Sequence, residues 1–499
     1  MATNLAALIF ALMGIALAAV LFPKMLDRKW GFRLAQTYAA LAALAFLVPN
    51  NLASLALAGV VMAFFAPKAI TERVAFFVAT LPALPIYHNA TVPFPGLNYL
   101  IDINFGMISI LVVLTPTLFM KTKAPPSKSF GMITAMVFGF VLLISLLDFR
   151  ILPFTSVLRS SFTNIVTMGV TYLAMSRAIR TREDFDMILR AILASIIFVA
   201  AIGLVSFLRE WNFYTQLFDG LGFVRFADYR FGLRVQSTLM TTLVGYMMAF
   251  GAILVHHFMT QKKVRGLQAY SLLALFLFVL LVSGSRGAYA SALAMFGAYA
   301  AYRIVPGLVR ILMFPSAAIF TIVIVGWFGS GRIDQLTAVD QYGTFEYRIK
   351  LFRAGLKQIR ENFFLGSGNF IESPNFAHLV QGQGIIDIVN TYLQIALEFG
   401  VIALFLFVAP FVIAIRALSR NCAYAARFKD ADSGHVAKSS AVMIAALIAF
   451  LLMIMTVSDR SYLIHYAFIF LGFAKAYAGV CQPKKIAPTP LHSPQEAPA

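Results

Sequence analysis

Apolar runs separated by short polar turns dominate the chain. Fifteen can be read, over 5–22, 34–48, 52–66, 74–87, 103–120, 130–147, 162–176, 188–208, 239–259, 267–282, 288–301, 311–327, 401–417, 441–457 and 463–480. A helix crossing a bilayer needs about 20 apolar residues. Several runs are shorter, so tilted or re-entrant passes are expected. The pattern predicts an all-α polytopic membrane protein with about 12–15 transmembrane helices. Lys and Arg alternate between dense and sparse along successive turns, starting with Lys24, Arg28, Lys29 and Arg33 after the first run and the uncharged Pro49-Asn50-Asn51 after the second. Dense turns read as cytoplasmic, sparse ones as external.

One stretch departs from this rhythm. Two long outer loops are expected, about 209–238 and about 328–386. In the second, Phe345, Ile349, Phe352, Leu356 and Ile359 recur at helical spacing, with Lys350, Arg353, Lys357 and Arg360 gathered on another face. This predicts an amphipathic helix lying on the membrane surface. Arg348 falls at the edge of the apolar stripe and is expected to be partly buried. A second helix is expected from about Ile385. Asp387, Asn390, Thr391, Gln394 and Glu398 would share one side of it. Two acids on an intramembrane helix imply a wet cavity lined by protein.

Composition agrees: 60% of residues are hydrophobic and 12% charged, with a mean hydropathy of +0.83. A formal charge of +19 invites a nucleic-acid reading. The bases sit in short loops between apolar runs, which excludes it. A single transmembrane domain over 1–481 is expected, followed by a disordered cytoplasmic tail over 482–499. The first run has no preceding Lys or Arg and reads as a retained span. Cys422 and Cys481 both fall on the cytoplasmic side and are expected as free thiols.

The external arginines carry the candidate chemistry. The outer positions hold twelve arginines (Arg150, Arg159, Arg209, Arg225, Arg230, Arg234, Arg286, Arg332, Arg348, Arg353, Arg360 and Arg460) against two lysines. The planar guanidinium fork suits bidentate phosphate binding. Arg234, Arg286 and Arg348 stand out, because their positions at loop–span junctions and on a packed helix resist free solvation. The alternative, binding of anionic headgroups or of outer acids, stays open for all of them. Gly366-Ser367-Gly368 lacks a preceding strand and reads as a tight turn. His378 is a candidate general base, though a lone loop histidine more often has no such role. The histidine and cysteine spacing matches no metal site, so no metal or other cofactor is expected.

Four segments resemble the bacterial O-antigen ligase and polymerase superfamily. They are Arg234-Val235-Gln236-Ser237-Thr238, Ser285-Arg286-Gly287, Tyr347-Arg348 through Leu356 with Phe364-Leu365-Gly366-Ser367-Gly368, and Asn390-Thr391-Tyr392-Leu393-Gln394 with Glu398-Phe399-Gly400. The resemblance covers about 230–418. It implies an inner-membrane glycosyltransferase working on the periplasmic face without metal or nucleotide sugar. Its donor would be an undecaprenyl-pyrophosphate-linked glycan. Arg234, Arg286 and Arg348 would hold the pyrophosphate, with Arg230, Asn390, Tyr392 and Gln394 toward the glycan. A flippase and a chain-length regulator would be pathway partners. Ligases of the family carry a histidine directly before the Asn-x-Tyr-Leu segment, and Val389 stands there. That favours a polymerase of repeat units for exopolysaccharide or O-antigen over a ligase to lipid A-core. It leaves Glu398, Asp387 or His378 to supply any base. A transporter or flippase of the lipid-linked glycan is the remaining alternative; it would show internal repeats, and none is evident.

Overall fold

The computed structural model describes residues 2–22, 26–85, 87–120, 131–218, 233–303, 344–380, 385–425, 431–457 and 463–481. The expectations for Arg225, Arg230, Arg332, Arg460, the run over 311–327 and the tail over 482–499 lie outside the described residues. Fifteen helices and one hairpin account for most of those described. In order they are α1 (Ala2–Leu21), α2 (Arg28–Leu47), α3 (Asn51–Phe65), α4 (Ile70–Thr80), the strands β1 (Asn89–Phe94) and β2 (Leu97–Asn104), α5 (Phe105–Phe119) and α6 (Gly131–Leu147). Then come α7 (154–178), α8 (Arg182–Leu208), α9 (Thr241–Thr260), α10 (Gly266–Val282), α11 (Arg286–Arg303), α12 (Thr344–Glu361), α13 (Thr391–Ala425), α14 (Ala431–Ile454) and α15 (Leu463–Val480). Among the described residues, seven helices are long and apolar enough to cross a bilayer alone; α3, α5 and α10 are apolar but shorter. The molecule is an all-α polytopic membrane protein.

Apolar sequence alone does not decide which helices are central. In α8 83% of the spanning window is buried, whereas in the equally apolar α1 only 33% is. α8 packs against α1, α4 and α9 and forms the axis of the bundle. Small residues permit that closeness. A Cβ on Gly251 would stand 2.7 Å from Ile196 Cγ2 and 2.8 Å from Phe276 Cε2, so α9 meets α8 and α10 there without a side chain between them.

The two ends of the bundle differ. At the basic end Lys263 Nζ lies 2.6 Å from Asp186 Oδ2, with His435 Nε2 at 3.5 Å. Arg73 donates to Val113 O at 2.9 Å, where the π turn Ile110–Leu114 disturbs the ladder of α5. Arg177 donates to Leu118 O at 3.0 Å near the end of the same helix. The opposite end carries the hairpin, α12 and the helix starts discussed below. The hairpin falls in a stretch that the sequence pattern reads as a loop. Its register shifts between Val92 and Phe94, around Pro93, which has no N–H to give the ladder. Arg159 covers the ring of Tyr99 at 4.0 Å and ties the hairpin to α7.

Candidate functional site

Arg234 and Arg286 are brought together by two tight turns. Asn212 holds the first: its Nδ2 donates to Arg234 O at 2.9 Å, and its Oδ1 accepts from Gln236 N at 3.1 Å. Val235 N donates to Val282 O at 3.1 Å, joining this turn to the end of α10. The second turn passes through Gly284 at φ +60°. A Cβ there would meet Arg234 Cγ at 3.0 Å, so the aliphatic stem of Arg234 lies across the bare glycine. Arg234 Nη2 donates to Thr241 Oγ1 at 3.1 Å. Ser285 Oγ shares a hydrogen bond with Thr242 Oγ1 at 2.8 Å and accepts from Ala288 N at 3.4 Å, capping α11. Arg286 is the first residue of that helix and is exposed. The N-terminus of α11 favours an anion, and the Arg234 side chain lies beside the turn that leads into it.

Contacts continue from this pair toward α13. Gly287 leaves no room for a side chain because Thr456 lies against it. The next residue, Val457, accepts at its carbonyl from Thr391 Oγ1 at 2.9 Å. Thr391 begins α13, six residues later than the sequence pattern suggests. Asn390 explains the difference. Its Oδ1 accepts from Tyr392 N at 3.0 Å and Leu393 N at 3.1 Å, an N-cap arrangement. An Asn directly before an apolar run was the available signal. The expected continuous polar stripe is therefore broken. Asp387 lies on a non-helical segment, and only Thr391, Gln394 and Glu398 share the helix. Tyr392 donates from its hydroxyl to Leu451 O at 2.7 Å, which turns it toward α14.

α12 docks on this segment through Tyr347, whose hydroxyl accepts from Asp387 N at 3.0 Å and donates to Asp387 O at 3.2 Å. Leu351 and Ala354 of α12 pack with Phe370, Phe376, Ile388, Leu393 and Leu397 in a small core of their own. The packed face of α12 is thus opposite to Phe352 and Leu356. Phe352 is 49% exposed and Leu356 40%. Arg348, expected at a buried edge, is exposed. The apolar stripe faces outward instead, as a helix half-sunk in lipid requires. His378 stands exposed on the short turn Ala377–Leu379. Among the described residues no hydrogen bond or ion pair joins it to the arginines, Asp387 or Glu398.

Glu398 stands just before a deliberate break. α13 is interrupted at Gly400, with φ 82° and ψ 178°. The turn after α12 fills the gap. Ser367 N donates to Leu397 O at 2.7 Å, and Val401 N donates to Phe363 O at 3.0 Å. Gly366, at φ +66°, has no space for a Cβ beside the backbone of Leu397 through Gly400. Arg150 completes the seal. Its guanidinium donates to Leu365 O, Gly366 O and Glu398 O, each at 3.0 Å, and to Leu147 O at 3.0 Å. Backbone groups freed inside a membrane protein have to be satisfied this way. Two glycine-bearing segments far apart in sequence are therefore one structural unit, and Arg150 is the residue that sequence reasoning did not single out. The Glu398 side chain borders a cavity shared with Asp148, Gln394 and His465.

The matched family model is described as O-antigen ligase and covers residues 271–408. It runs from within α10 to within α13 and includes the Ser285–Gly287 turn, α12 and the Gly366–Gly400 unit. Over that stretch the chain is similar to the O-antigen ligase family, which supports the resemblance to the ligase and polymerase superfamily. No curated protein matches it.

Proposed function

We propose that this protein polymerises glycan repeat units carried on undecaprenyl pyrophosphate, on the periplasmic face of the bacterial inner membrane. The family supports a role of the O-antigen ligase and polymerase type, with a lipid-linked glycan as substrate. The observation that carries the finer reading is the stem of Arg234 lying on Gly284, two residues before Arg286 at the start of α11. In the reaction, the bond between the donor's anomeric carbon and the pyrophosphate oxygen breaks. A hydroxyl oxygen of the acceptor sugar bonds to that carbon, and its proton passes to a carboxylate. Charge grows on the departing pyrophosphate, so fixed guanidinium groups and the N-terminus of α11 stabilise the transition state more than the ground state. Arg234 and Arg286 carry that task, with Arg348 reaching the same lipid from α12. Glu398 and Asp387 are the candidate proton acceptors, and His378 is the third.

The description of the family as a ligase favours a second reading, transfer of the finished glycan to lipid A-core. Val389 stands where ligases of the family carry histidine, and this supports the polymerase. Deleting the gene separates the two: a polymerase deletion loses the polymer, whereas a ligase deletion loses only its attachment. The site assignment is tested by Arg286→Ala and Arg348→Ala in cells without the wild-type copy. Loss of polymer with normal protein levels is expected. Full-length polymer from both variants at normal levels would refute the assignment.

A further inference from the structure

Gln394 and Glu398 border a cavity of about 380 Å³ between α6, α7, α13 and α15. This lies within the range of roughly 300–1,000 Å³ usual for small-ligand sites. Its polar lining includes Asp148, Thr163, Asn164, Gln394, Glu398 and His465. Apolar side chains, among them Phe140 and Met168, line it as well. Among the described residues, no lysine or arginine lines it. The cavity is therefore poorly suited to phosphate. It offers carboxylate, amide and hydroxyl groups beside apolar surface, which is what a neutral sugar ring, with hydroxyls at its edge and C–H groups on its faces, requires.

Two details sharpen this. Asp148 is held in place by Ser160, whose Oγ donates to Asp148 Oδ2 at 2.6 Å, and Asn164 Nδ2 donates to the same Ser160 oxygen at 3.5 Å. Gln394 Oε1 is buried with no hydrogen-bond partner among the described residues. A buried amide oxygen of this kind calls for a donor. A chain of contacts links α13 to the start of α11, where Arg286 stands. Thr391, on the same side of α13 as Gln394 and Glu398, bonds to Val457, and its neighbour Thr456 rests on Gly287.

We propose that this cavity binds a neutral sugar ring of the acceptor glycan, with Gln394 and Asp148 as the groups that recognise it. The inference rests on the proposed function and adds the place where the acceptor sits. A hydroxyl of that ring lies beside Glu398, on the helix that Thr391 ties toward the start of α11. Arg150 is a positioning residue here, because it fixes the backbone of Glu398 at the edge of the cavity.

A single cysteine at Thr163→Cys, in a chain also carrying Cys422→Ala and Cys481→Ala, tests this in spheroplasts. Labelling with a small water-soluble thiosulfonate is timed in the presence of two lipids. One is the lipid-linked glycan extracted from cells deleted for this gene; the other is undecaprenyl pyrophosphate without sugar. The glycan-bearing lipid is expected to slow labelling by about fivefold or more, the effect of roughly 1 kcal/mol of occupancy. The bare lipid should not, and Gln394→Leu should remove the protection. Equal protection by both lipids overturns the proposal. So does no protection by the glycan-bearing lipid, a cysteine that the reagent does not reach, or protection unchanged by Gln394→Leu. Failure of the underlying function is distinguishable from the extracted lipid itself: single repeat units on the carrier fit the polymerase reading, whereas finished polymer on the carrier refutes that reading whatever the labelling shows.

Discussion

The backbone of Gly366 is seated in the gap that Gly400 opens in α13. Neither position has room for a Cβ, and both have positive φ, at 66° and 82°. Gly400→Ala brings backbone strain of about 1–3 kcal/mol together with a clash against Phe364 and Leu365. We expect a lower melting temperature in detergent and faster proteolysis between α12 and α13. Arg150→Lys should weaken the same unit, since an ammonium cannot reproduce the fork that reaches three carbonyls. Unchanged melting and proteolysis for both variants would show that the unit is not closed by these residues.

Asn390 caps α13, which separates a local role from glycan contact. Asn390→Ala is expected to cost about 1 kcal/mol of stability, and Asn390→Asp, which keeps the capping oxygen, should restore it. Thermal melting of the three proteins gives the order. If Asn390→Asp melts like Asn390→Ala, the cap is not what Asn390 contributes.

His88 makes stability depend on pH. Its Nε2 pairs with Ser54 Oγ at 3.0 Å, and Ser54 in turn is bonded to Leu44 O at 3.1 Å. Burial pushes the imidazole down to about 4. The unfolded chain, with a value near 6.5, therefore binds a proton that the folded chain refuses between those limits. Stability falls as the pH drops from about 6.5 toward 4. The melting temperature of His88→Gln should fall less over that window than that of the wild type. Equal slopes would contradict this account.

Phe352 reports how α12 meets the membrane. In Phe352→Trp, lipids brominated on their acyl chains should quench the new fluorescence strongly, and a tryptophan placed at Lys357 should be quenched much less. Equal quenching would mean that the outward apolar stripe does not lie in lipid.

The helix runs were readable because a bilayer demands long apolar stretches, and α6, α10 and α15 begin and end close to where hydropathy puts them. Packing faces were not readable. Phe352 and Leu356 look like a core stripe, but lipid and protein interior are equally apolar, so periodicity marks an apolar face without saying what covers it. The same ambiguity set Arg348 at a buried edge. The polar stripe on α13 failed for a different reason, since Asn390 starts the helix by capping and leaves Asp387 outside it. Arg234, Arg286 and Glu398 were singled out from charge and sidedness. Arg150 was not, because its task is to satisfy carbonyls of a helix break, and only the contact between the Gly366 and Gly400 segments reveals that break. Asp148 and His465 sit on helices distant in sequence from α13, so their shared cavity left no linear signal.

The most direct measurement is the affinity of the purified protein in nanodiscs for undecaprenyl pyrophosphate, compared with undecaprenol. The wild type should prefer the pyrophosphate, and Arg234→Ala and Arg286→Ala should each weaken its binding by about tenfold or more, as expected for loss of a charge-assisted contact of roughly 1.4 kcal/mol or above. Undecaprenol binding should stay the same. Pyrophosphate affinity unchanged in both folded variants would contradict the claim that these arginines hold the leaving group.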